Sequence, residues 1–316
     1  MKTAILGTWH VHAGGYAGTA AELGTLTGVW EENEAWCREF AERYGIRQYA
    51  SREELLADDI DGVIICSATN RHKEDVIAAA RAGKAIFIEK VLALTEADCT
   101  EIRQVLKETG VPFVISFPWK FNGAVLTVRS LVESGDVGRV NYIRFRNAHT
   151  GSSGDWLPPH FYNAAQCGGG AMIDLGAHGM YLIDMLKGLP ESYSSAFGLF
   201  CGKPSVLEKN VDRVEDNAVT AMTYADGCVA VNETGFNTSG CPTILEVGGE
   251  EGYITMTGDT VVHNSPATEH KTVPAALLPG QPAPIAQFMN GKVPEGCGIE
   301  EAIRLTVMME GAYRRR

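Results

Sequence analysis

The first 118 residues alternate short apolar runs with amphipathic stretches, and this alternation restricts the fold more than any other feature of the chain. The apolar runs have the length of strands buried on both faces, and the stretches between them have helical periodicity. Three of these helices end at a glycine, which favours a left-handed C-cap. Such an alternation predicts a parallel, doubly wound α/β sheet. The predicted strands are Thr3–Leu6, Thr27–Trp30, Gly62–Cys66, Ala85–Ile88 and Phe113–Ser116, and the predicted helices are Glu34–Tyr44, Lys73–Arg81 and Glu96–Glu108.

From about residue 137 the pattern changes to longer β-rich runs, joined by glycine-containing turns that favour antiparallel pairing. One strong helix, Asp174–Leu186, interrupts them, and a second, Ile299–Tyr313, closes the chain. Residues 263–297, rich in Pro, Gly and His, are predicted to be loop. The second half is therefore predicted to be an α+β domain with an open, mostly antiparallel sheet and helices on one face. Its predicted strands are Arg139–His149, Ser194–Phe200, Ala218–Tyr224, Cys228–Asn237, Thr243–Gly248 and Gly252–Thr257.

Composition excludes several classes of partner. The 27 basic residues are outnumbered by 39 acidic ones, and a net charge of -12 repels nucleic acid and anionic membrane surfaces. The eight cysteines include no C-x-x-C pair, which argues against a metal ribbon or a thioredoxin-type site. No signal-peptide core opens the sequence, and no apolar run approaches the roughly 20 residues of a membrane span. We expect a cytoplasmic protein that acts on a small molecule.

The second half contains a glycine-rich segment, Gly168–His178, that runs Gly-Gly-Gly-Ala-Met-Ile-Asp-Leu-Gly-Ala-His. Asp174 and His178 are four residues apart, so a continuous helix would place them on one face. A carboxylate beside an imidazole raises the pKa of the imidazole and fixes its tautomer, as a general base requires. Taken alone, the pair also fits a local helix contact, a hydrolase, an isomerase or a metal site.

The loop after the first strand, Gly7–His12, occupies the place of a dinucleotide-binding G-x-G-x-x-G turn, but only Gly7 of its glycines is present. At the end of the second strand, Glu31 and Glu32 supply acids that can accept hydrogen bonds from ribose hydroxyls. Their negative charge favours NAD over NADP. An ordinary turn followed by two solvated acids at a helix N-terminus remains the alternative interpretation.

Further motifs follow the fourth and fifth strands, at the edge where α/β sheets bind ligands. Ser67-Ala68-Thr69-Asn70 follows one strand, and Glu89-Lys90 follows the next after an Ala-Gly-Lys turn at 82–84. In this order, and followed by the G-G-G-x-x-x-D-x-G-x-H segment and the last helix at Glu310–Arg314, these motifs resemble the glucose-fructose oxidoreductase / inositol dehydrogenase / MocA (Gfo/Idh/MocA) family over the whole chain.

The resemblance implies an NAD-binding Rossmann domain at 1–118 and a substrate-binding and oligomerisation domain at 119–316. It implies hydride transfer between a nicotinamide cofactor and a secondary hydroxyl of a sugar, an inositol or a related polyol. Lys90, Asp174 and His178 then form the catalytic group. His178 accepts the proton, Lys90 polarises the oxygen and Asp174 orients them, although Lys90 and His178 can exchange roles.

The resemblance and the strand-end positions together give the remaining predicted site residues. Those expected to bind the cofactor are Gly7, Thr8, Trp9, His10, Glu31, Glu32, Ser67, Ala68, Thr69, Asn70, His72, Glu89 and Lys90. Those expected to bind substrate are Lys90, Lys120, Trp156, His160, Asp174 and His178.

Three residues depart from the family pattern. Val91 replaces the proline that usually follows the lysine, Trp9 fills the position of the second fingerprint glycine, and Tyr181 stands where many members have an aspartate. Trp9 is expected to obstruct the approach of a pyrophosphate unless the loop turns differently, and Tyr181 suggests a different substrate contact.

No metal site is predicted. His10 and His12 are two residues apart in a turn, where side chains need not converge, and no acidic partner is near them in sequence.

Two other functions remain open at this stage. The same residues also suit redox-neutral glycoside cleavage or elimination through a transient keto-sugar. A non-catalytic sensor of dinucleotide or sugar is the third possibility. A homodimer or homotetramer formed through the second-domain sheet is expected in each case.

Overall fold

The computed structural model describes residues 1–314, which divide into two compact units. The first unit comprises Met1–Phe117 and Pro282–Thr306, and the second comprises Pro118–Gln281 and the described residues from Val307 onward. The sequence-based boundary at residue 118 assigns Pro282–Thr306 to the second domain, whereas the structure places this segment in the first unit. No helix within residues 1–314 is long and apolar enough to cross a membrane.

The first unit is built on a six-stranded parallel sheet in the order β3-β2-β1-β4-β5-β6, as in a Rossmann fold. Three of the central strands are buried along their whole length, as expected for a sheet covered by helices on both faces. The two-residue β3 was not predicted. The strands are β1 (Thr3–Leu6), β2 (Leu26–Trp30), β3 (Arg47–Gln48), β4 (Gly62–Ile65), β5 (Ala85–Ile88) and β6 (Phe113–Ile115).

Five helices connect these strands: α1 (Ala13–Glu22), α2 (Glu34–Tyr44), α3 (Arg52–Ala57), α4 (His72–Arg81) and α5 (Glu96–Thr109). Asn33 and Thr95 cap α2 and α5 at their N-termini, and Gly45 and Gly110 end them in the predicted left-handed conformation. The sequence analysis missed α1 and α3. The first of these is rich in alanine and glycine and therefore lacks a strong alternation of apolar and polar residues.

The second unit contains an eight-stranded sheet in the order β14-β13-β12-β11-β7-β10-β9-β8. All its pairs are antiparallel except β7 with β10. Of the last two strands in the chain, one begins just before the predicted loop at 263–297 and the other lies within it. The strands are β7 (Val140–Ala148), β8 (Ser192–Gly198), β9 (Asn217–Thr223), β10 (Val229–Gly235), β11 (Ile244–Gly249), β12 (Tyr253–Thr257), β13 (Thr260–Asn264) and β14 (Val273–Pro274).

Helices pack on this sheet through its buried residues, such as Ile143 and Phe145 of β7. The helices of this unit are α6 (Gly123–Glu133), α7 (Ala164–Cys167), α8 (Ala171–Asp174), α9 (Gly176–Lys187) and α10 (Pro204–Lys209). Of these, α6, α8 and α9 contact the sheet, and α7 and α10 contact the 3₁₀ turn Pro159–Tyr162. The chain then forms α11 (Pro284–Met289) and ends in the correctly predicted α12 (Ile299–Tyr313). The helices α6, α7, α10 and α11 were not predicted, α11 lies in the segment predicted to be loop, and the single helix predicted at 174–186 is divided at Leu175 into α8 and α9.

Candidate active site

The loop after β1, here called the histidine loop (Gly7–His12), lies at the carboxyl edge of the parallel sheet. Gly7 has a φ of 84°, and a Cβ atom on it would lie 2.5 Å from the Ser67 backbone nitrogen, so this glycine is required. Trp9 is only 7% exposed, and its ring lies 6.3 Å from that of His10. The Glu31 carboxylate, at the end of β2, accepts the Thr8 amide N–H at 2.6 Å.

A buried carboxylate joins the histidine loop to the end of β5. His12 Nδ1 lies 3.2 Å from Glu89 Oε2, and His10 Nε2 lies 3.9 Å from Glu89 Oε1. Tyr16 donates its hydroxyl proton to Glu89 and lies 2.7 Å from the Ser116 hydroxyl. Burial acts to raise the pKa of Glu89, but the two imidazoles outweigh it and hold that pKa well below its usual range. The sequence separation of 77 residues between His12 and Glu89 concealed this contact.

Lys90 follows Glu89 directly and is buried; its peptide bond to Val91 is cis. The neighbouring His72 is also buried, with Nδ1 2.7 Å from the Val91 carbonyl and Nε2 3.1 Å from the Ser67 carbonyl. Its polar atoms therefore connect the segments that follow β4 and β5. The structure thus brings all the predicted cofactor-binding residues to the carboxyl ends of β1, β2, β4 and β5, and their contact with a cofactor stays a prediction.

In the second unit, the glycine loop (Gly168–Gly170) is held by a buried acid. Glu215 Oε1 accepts the N–H groups of Gly170 and Met172, each at 3.0 Å, and the Tyr313 hydroxyl at 2.6 Å. Burial raises the pKa of Glu215, and these hydrogen bonds offset only part of the increase. A Cβ at Gly169 would overlap the Tyr313 ring, and one at Gly170 would overlap the Glu215 carbonyl. These two glycines are therefore required by packing inside the unit.

A break in the helix separates Asp174 from His178. Asp174 is the last residue of α8, and the His178 N–H bonds to the Leu175 carbonyl in a tight turn. Two asparagines of the sheet accompany this break: Asn147 donates to the Leu175 carbonyl at 3.2 Å, and Asn232 donates to the Gly176 carbonyl at 2.7 Å. Leu175 keeps right-handed helical dihedrals (φ −75°, ψ −37°), so the same-face relation of Asp174 and His178 stays a prediction.

His178 is buried beside two aromatic residues. Its Nδ1 lies 2.9 Å from the Tyr181 hydroxyl, which also accepts the Trp119 backbone N–H at 3.2 Å. The ring of Trp119 lies 6.4 Å from that of His178. Tyr181 is itself buried. Where the sequence analysis suggested a substrate contact for Tyr181, the structure shows a partner of His178.

The other predicted substrate-binding residues lie in loops and short 3₁₀ turns of the second unit. Lys120 is buried in the 3₁₀ turn Pro118–Phe121, next to Trp119. Trp156 is 51% exposed and packs against the His149 ring at 4.8 Å, and His149 stacks on Phe236. His160 lies in the 3₁₀ turn Pro159–Tyr162.

Four residues that hold the glycine loop and the junction of α8 and α9 were not predicted to be functional: Glu215, Tyr313, Asn147 and Asn232. A weak signal existed for Asn232, which is a polar residue at a buried position of β10, between Ala230 and Thr234. None existed for Glu215, because its partners are backbone groups brought together by the fold.

A protein-family model matches most of the first unit, and a second model matches most of the second. Residues 1–117 match the family model described as an oxidoreductase family with an NAD-binding Rossmann fold, and residues 125–255 match the GFO/IDH/MocA C-terminal domain.

Among characterised relatives, the myo-inositol 2-dehydrogenase of Thermotoga maritima is 26% identical over 65% of this chain and 59% of its own length. The NAD(+)-dependent scyllo-inositol 2-dehydrogenase of Bacillus subtilis is 29% identical over 68% of this chain and 60% of its own length. The chain thus spans about three fifths of the length of these curated relatives. A levoglucosan dehydrogenase solved with NADH and levoglucosan has the same fold, with a TM-score of 0.82, 19% identity, and coverage of 98% of this chain and 95% of the other. Because the models of both family domains match in their expected order, the chain belongs to the GFO/IDH/MocA oxidoreductase family.

Proposed function

We propose that this protein is an NAD-dependent dehydrogenase that transfers a hydride between the nicotinamide and a secondary hydroxyl of a sugar, an inositol or a related polyol. The observation that carries the proposal is the match of residues 1–117 to the NAD-binding family model. The inositol dehydrogenases among the relatives support the substrate class. The buried His178, with its Nδ1 atom beside a hydroxyl, supports the proton chemistry.

The residues at the carboxyl edge of the first sheet fit a dinucleotide. Gly7 holds the histidine loop against Ser67, and the Trp9 side chain is buried. The Glu31 carboxylate lies beside the loop and retains lone pairs to accept ribose hydroxyls. Its charge opposes a 2′-phosphate, so we propose NAD in preference to NADP. When bound, the nicotinamide supplies the acceptor or donor of the hydride.

In this proposal Lys90, Asp174 and His178 are the catalytic residues. In the tautomer proposed here, Nδ1–H of His178 donates to the Tyr181 hydroxyl and Nε2 takes the proton of the substrate hydroxyl. The ammonium of Lys90 stabilises the negative charge that develops on the same oxygen. Asp174 orients the reacting groups. Lys120, Trp156 and His160 are proposed to bind the substrate, Trp156 by stacking its exposed ring on an apolar sugar face.

Steady-state assays on the purified full chain test this function, with NADH absorbance followed over a panel of sugars, inositols and other polyols. We expect turnover with at least one polyol and losses of about 10²–10⁴-fold in Lys90→Met and His178→Asn, with NAD binding retained in His178→Asn by calorimetry. Lys73→Met removes a lysine on α4 that pairs with Asp98 and serves as the control. NAD binding without turnover on any substrate would indicate a sensor. Glycoside cleavage without net NADH would indicate transient oxidation instead.

We also propose that the chain forms a homodimer or homotetramer through the sheet of the second unit. The face opposite Ile143 and Phe145 carries Tyr142 and Arg144, and Arg144 is held between Glu233 at 2.7 Å and Glu246 at 2.9 Å. A sheet face with ordered charges and half-exposed aromatic side chains suits a partner surface. Light scattering coupled to size-exclusion chromatography tests this, and a monomer at micromolar concentration would contradict it.

A further inference from the structure

His10, His12 and Glu89 form a cluster of two imidazoles and one carboxylate at the ends of β1 and β5. We propose that these three residues bind a divalent transition-metal ion, with coordination positions left open for oxygen ligands. The two imidazole nitrogens and a carboxylate oxygen all lie within 4.8 Å of one another. Two ligands of one ion, each about 2.0–2.2 Å from it, lie at most about 4 Å apart. His12 Nδ1 lies 3.2 Å from Glu89 Oε2, and His10 Nε2 lies 3.9 Å from Glu89 Oε1. Both distances already meet this limit, so small side-chain shifts complete the site.

The chemistry of the three donors selects the class of metal. Two imidazoles and one carboxylate suit Zn²⁺, Co²⁺, Fe²⁺ or Mn²⁺, whereas Mg²⁺ and Ca²⁺ prefer oxygen donors throughout. Three protein ligands leave room for water or a substrate oxygen, as in open metal sites.

The surroundings of Glu89 also resemble those of a metal-binding carboxylate. Tyr16 donates to this carboxylate and hydrogen-bonds to the Ser116 hydroxyl, so a chain of two hydroxyls orients the acid. Glu89 is 1% exposed, whereas the His12 side chain is 44% exposed, which gives an ion a path from solvent. Tyr16 and His12 contact the same oxygen, Oε2, and His10 lies near Oε1, so this buried carboxylate is already desolvated and held in place beside both imidazoles.

Binding requires one change in His10. The His12 backbone N–H lies 3.2 Å from Nδ1 of His10, and in the tautomer that accepts this bond the ring proton is on Nε2, the nitrogen that faces Glu89. A metal ion at Nε2 takes the place of this proton, which moves to Nδ1. The His12 amide then gives up this bond, a local change within the histidine loop.

Metal titration of the full chain tests the site independently of any enzymatic activity. After treatment with EDTA, Zn²⁺ is titrated by calorimetry, and Co²⁺ by its visible absorption spectrum. We expect one ion per chain and a Co²⁺ spectrum without the sulfur-to-cobalt charge transfer that cysteine ligands produce. His12→Gln, at an exposed position, and Glu89→Gln are expected to weaken binding roughly tenfold or more. His270→Gln, at another exposed histidine, is the matched control and is expected to bind as the wild type does.

Circular dichroism of each variant separates loss of a ligand from loss of the fold, and His12→Gln is decisive because its side chain is partly solvated. Unchanged affinity in a folded His12→Gln variant would overturn the proposal. So would the absence of a saturable site in the wild type, or a cobalt spectrum dominated by thiolate. The measurement needs neither NAD nor a polyol, so its failure leaves the proposed dehydrogenase function untouched.

Discussion

The histidine loop of the first unit and the glycine loop of the second both precede a helix at a predicted ligand edge, but they keep their shapes by different means. In the histidine loop, side chains stand where a fingerprint has glycines or lie next to those positions: Trp9 is buried, and His12 pairs with Glu89. The glycine loop has kept its glycines because the Tyr313 ring and the Glu215 carbonyl lie against them. A motif glycine is therefore retained where another group of the chain occupies the space of a side chain. It is replaceable where the fold offers a buried place for one.

The largest effect is expected from restoring the fingerprint glycine in the histidine loop. Trp9→Gly removes a buried side chain and leaves a cavity, which should lower the free energy of unfolding of the first unit by about 4 kcal/mol. Urea denaturation followed by circular dichroism measures this loss. Trp36→Gly, at a partly exposed tryptophan in α2, should cost only about 1 kcal/mol, the penalty for glycine in a helix. Equal losses in the two variants would show that Trp9 is not a packing residue.

Adding a side chain to the glycine loop should also destabilise the protein, because the loop has no space for one. In Gly170→Ala the added methyl group meets the Glu215 carbonyl, and forcing the two apart should cost about 3 kcal/mol. The same denaturation experiment measures the effect on the second unit. Gly202→Ala, where no atom lies within 4 Å of the added carbon, should change stability by less than about 0.5 kcal/mol. A harmless Gly170→Ala would mean that this loop tolerates side chains as the histidine loop does.

A smaller loss is expected when the acid behind the glycine loop is removed. Glu215→Ala leaves the N–H groups of Gly170 and Met172 and the Tyr313 hydroxyl without their acceptor, which should cost about 2 kcal/mol. Thermal and urea unfolding measure it. Glu208→Ala replaces a glutamate in α10 and should have little effect.

The raised pKa of Glu215 makes the unfolding free energy depend on pH. Because its folded pKa lies above the unfolded value of about 4.5, the folded protein binds the proton more tightly than the unfolded chain does. The stability that follows is complete below the unfolded pKa and is lost as pH rises through the folded pKa. Glu215→Gln does not titrate, so the difference in unfolding free energy between wild type and this variant should fall over that pH range. A constant difference would contradict the assignment.

Much of the architecture was predictable because it follows from local periodicity. The alternation of apolar runs and helices gave the parallel sheet, and most strand ends in it were correct to within a residue. The helix α1 was not predictable, because its run of Ala and Gly lacks an alternation of polar and apolar residues. The candidate site was less predictable from the sequence. His12 and Glu89 meet across 77 residues, and Glu215 acts on backbone groups more than 40 residues away, so neither contact has a local pattern.

The smallest expected effect on stability concerns the hydroxyl beside His178. Tyr181→Phe keeps the buried ring but removes the atom that faces Nδ1, and we expect a stability loss of about 1 kcal/mol. Without an acceptor for Nδ1–H, the protonated imidazole loses stabilisation, so the acidic limb of the kcat/KM pH profile should move to lower pH while kcat falls roughly fivefold. Tyr44→Phe removes a hydroxyl that donates to the Gly14 carbonyl in the first unit and controls for the loss of a hydrogen bond alone. An unchanged pH profile in Tyr181→Phe would show that the hydroxyl only fills space. A shift confined to that variant would show that the second unit tunes its reactive imidazole with a side chain, whereas it holds the adjoining loop through glycines.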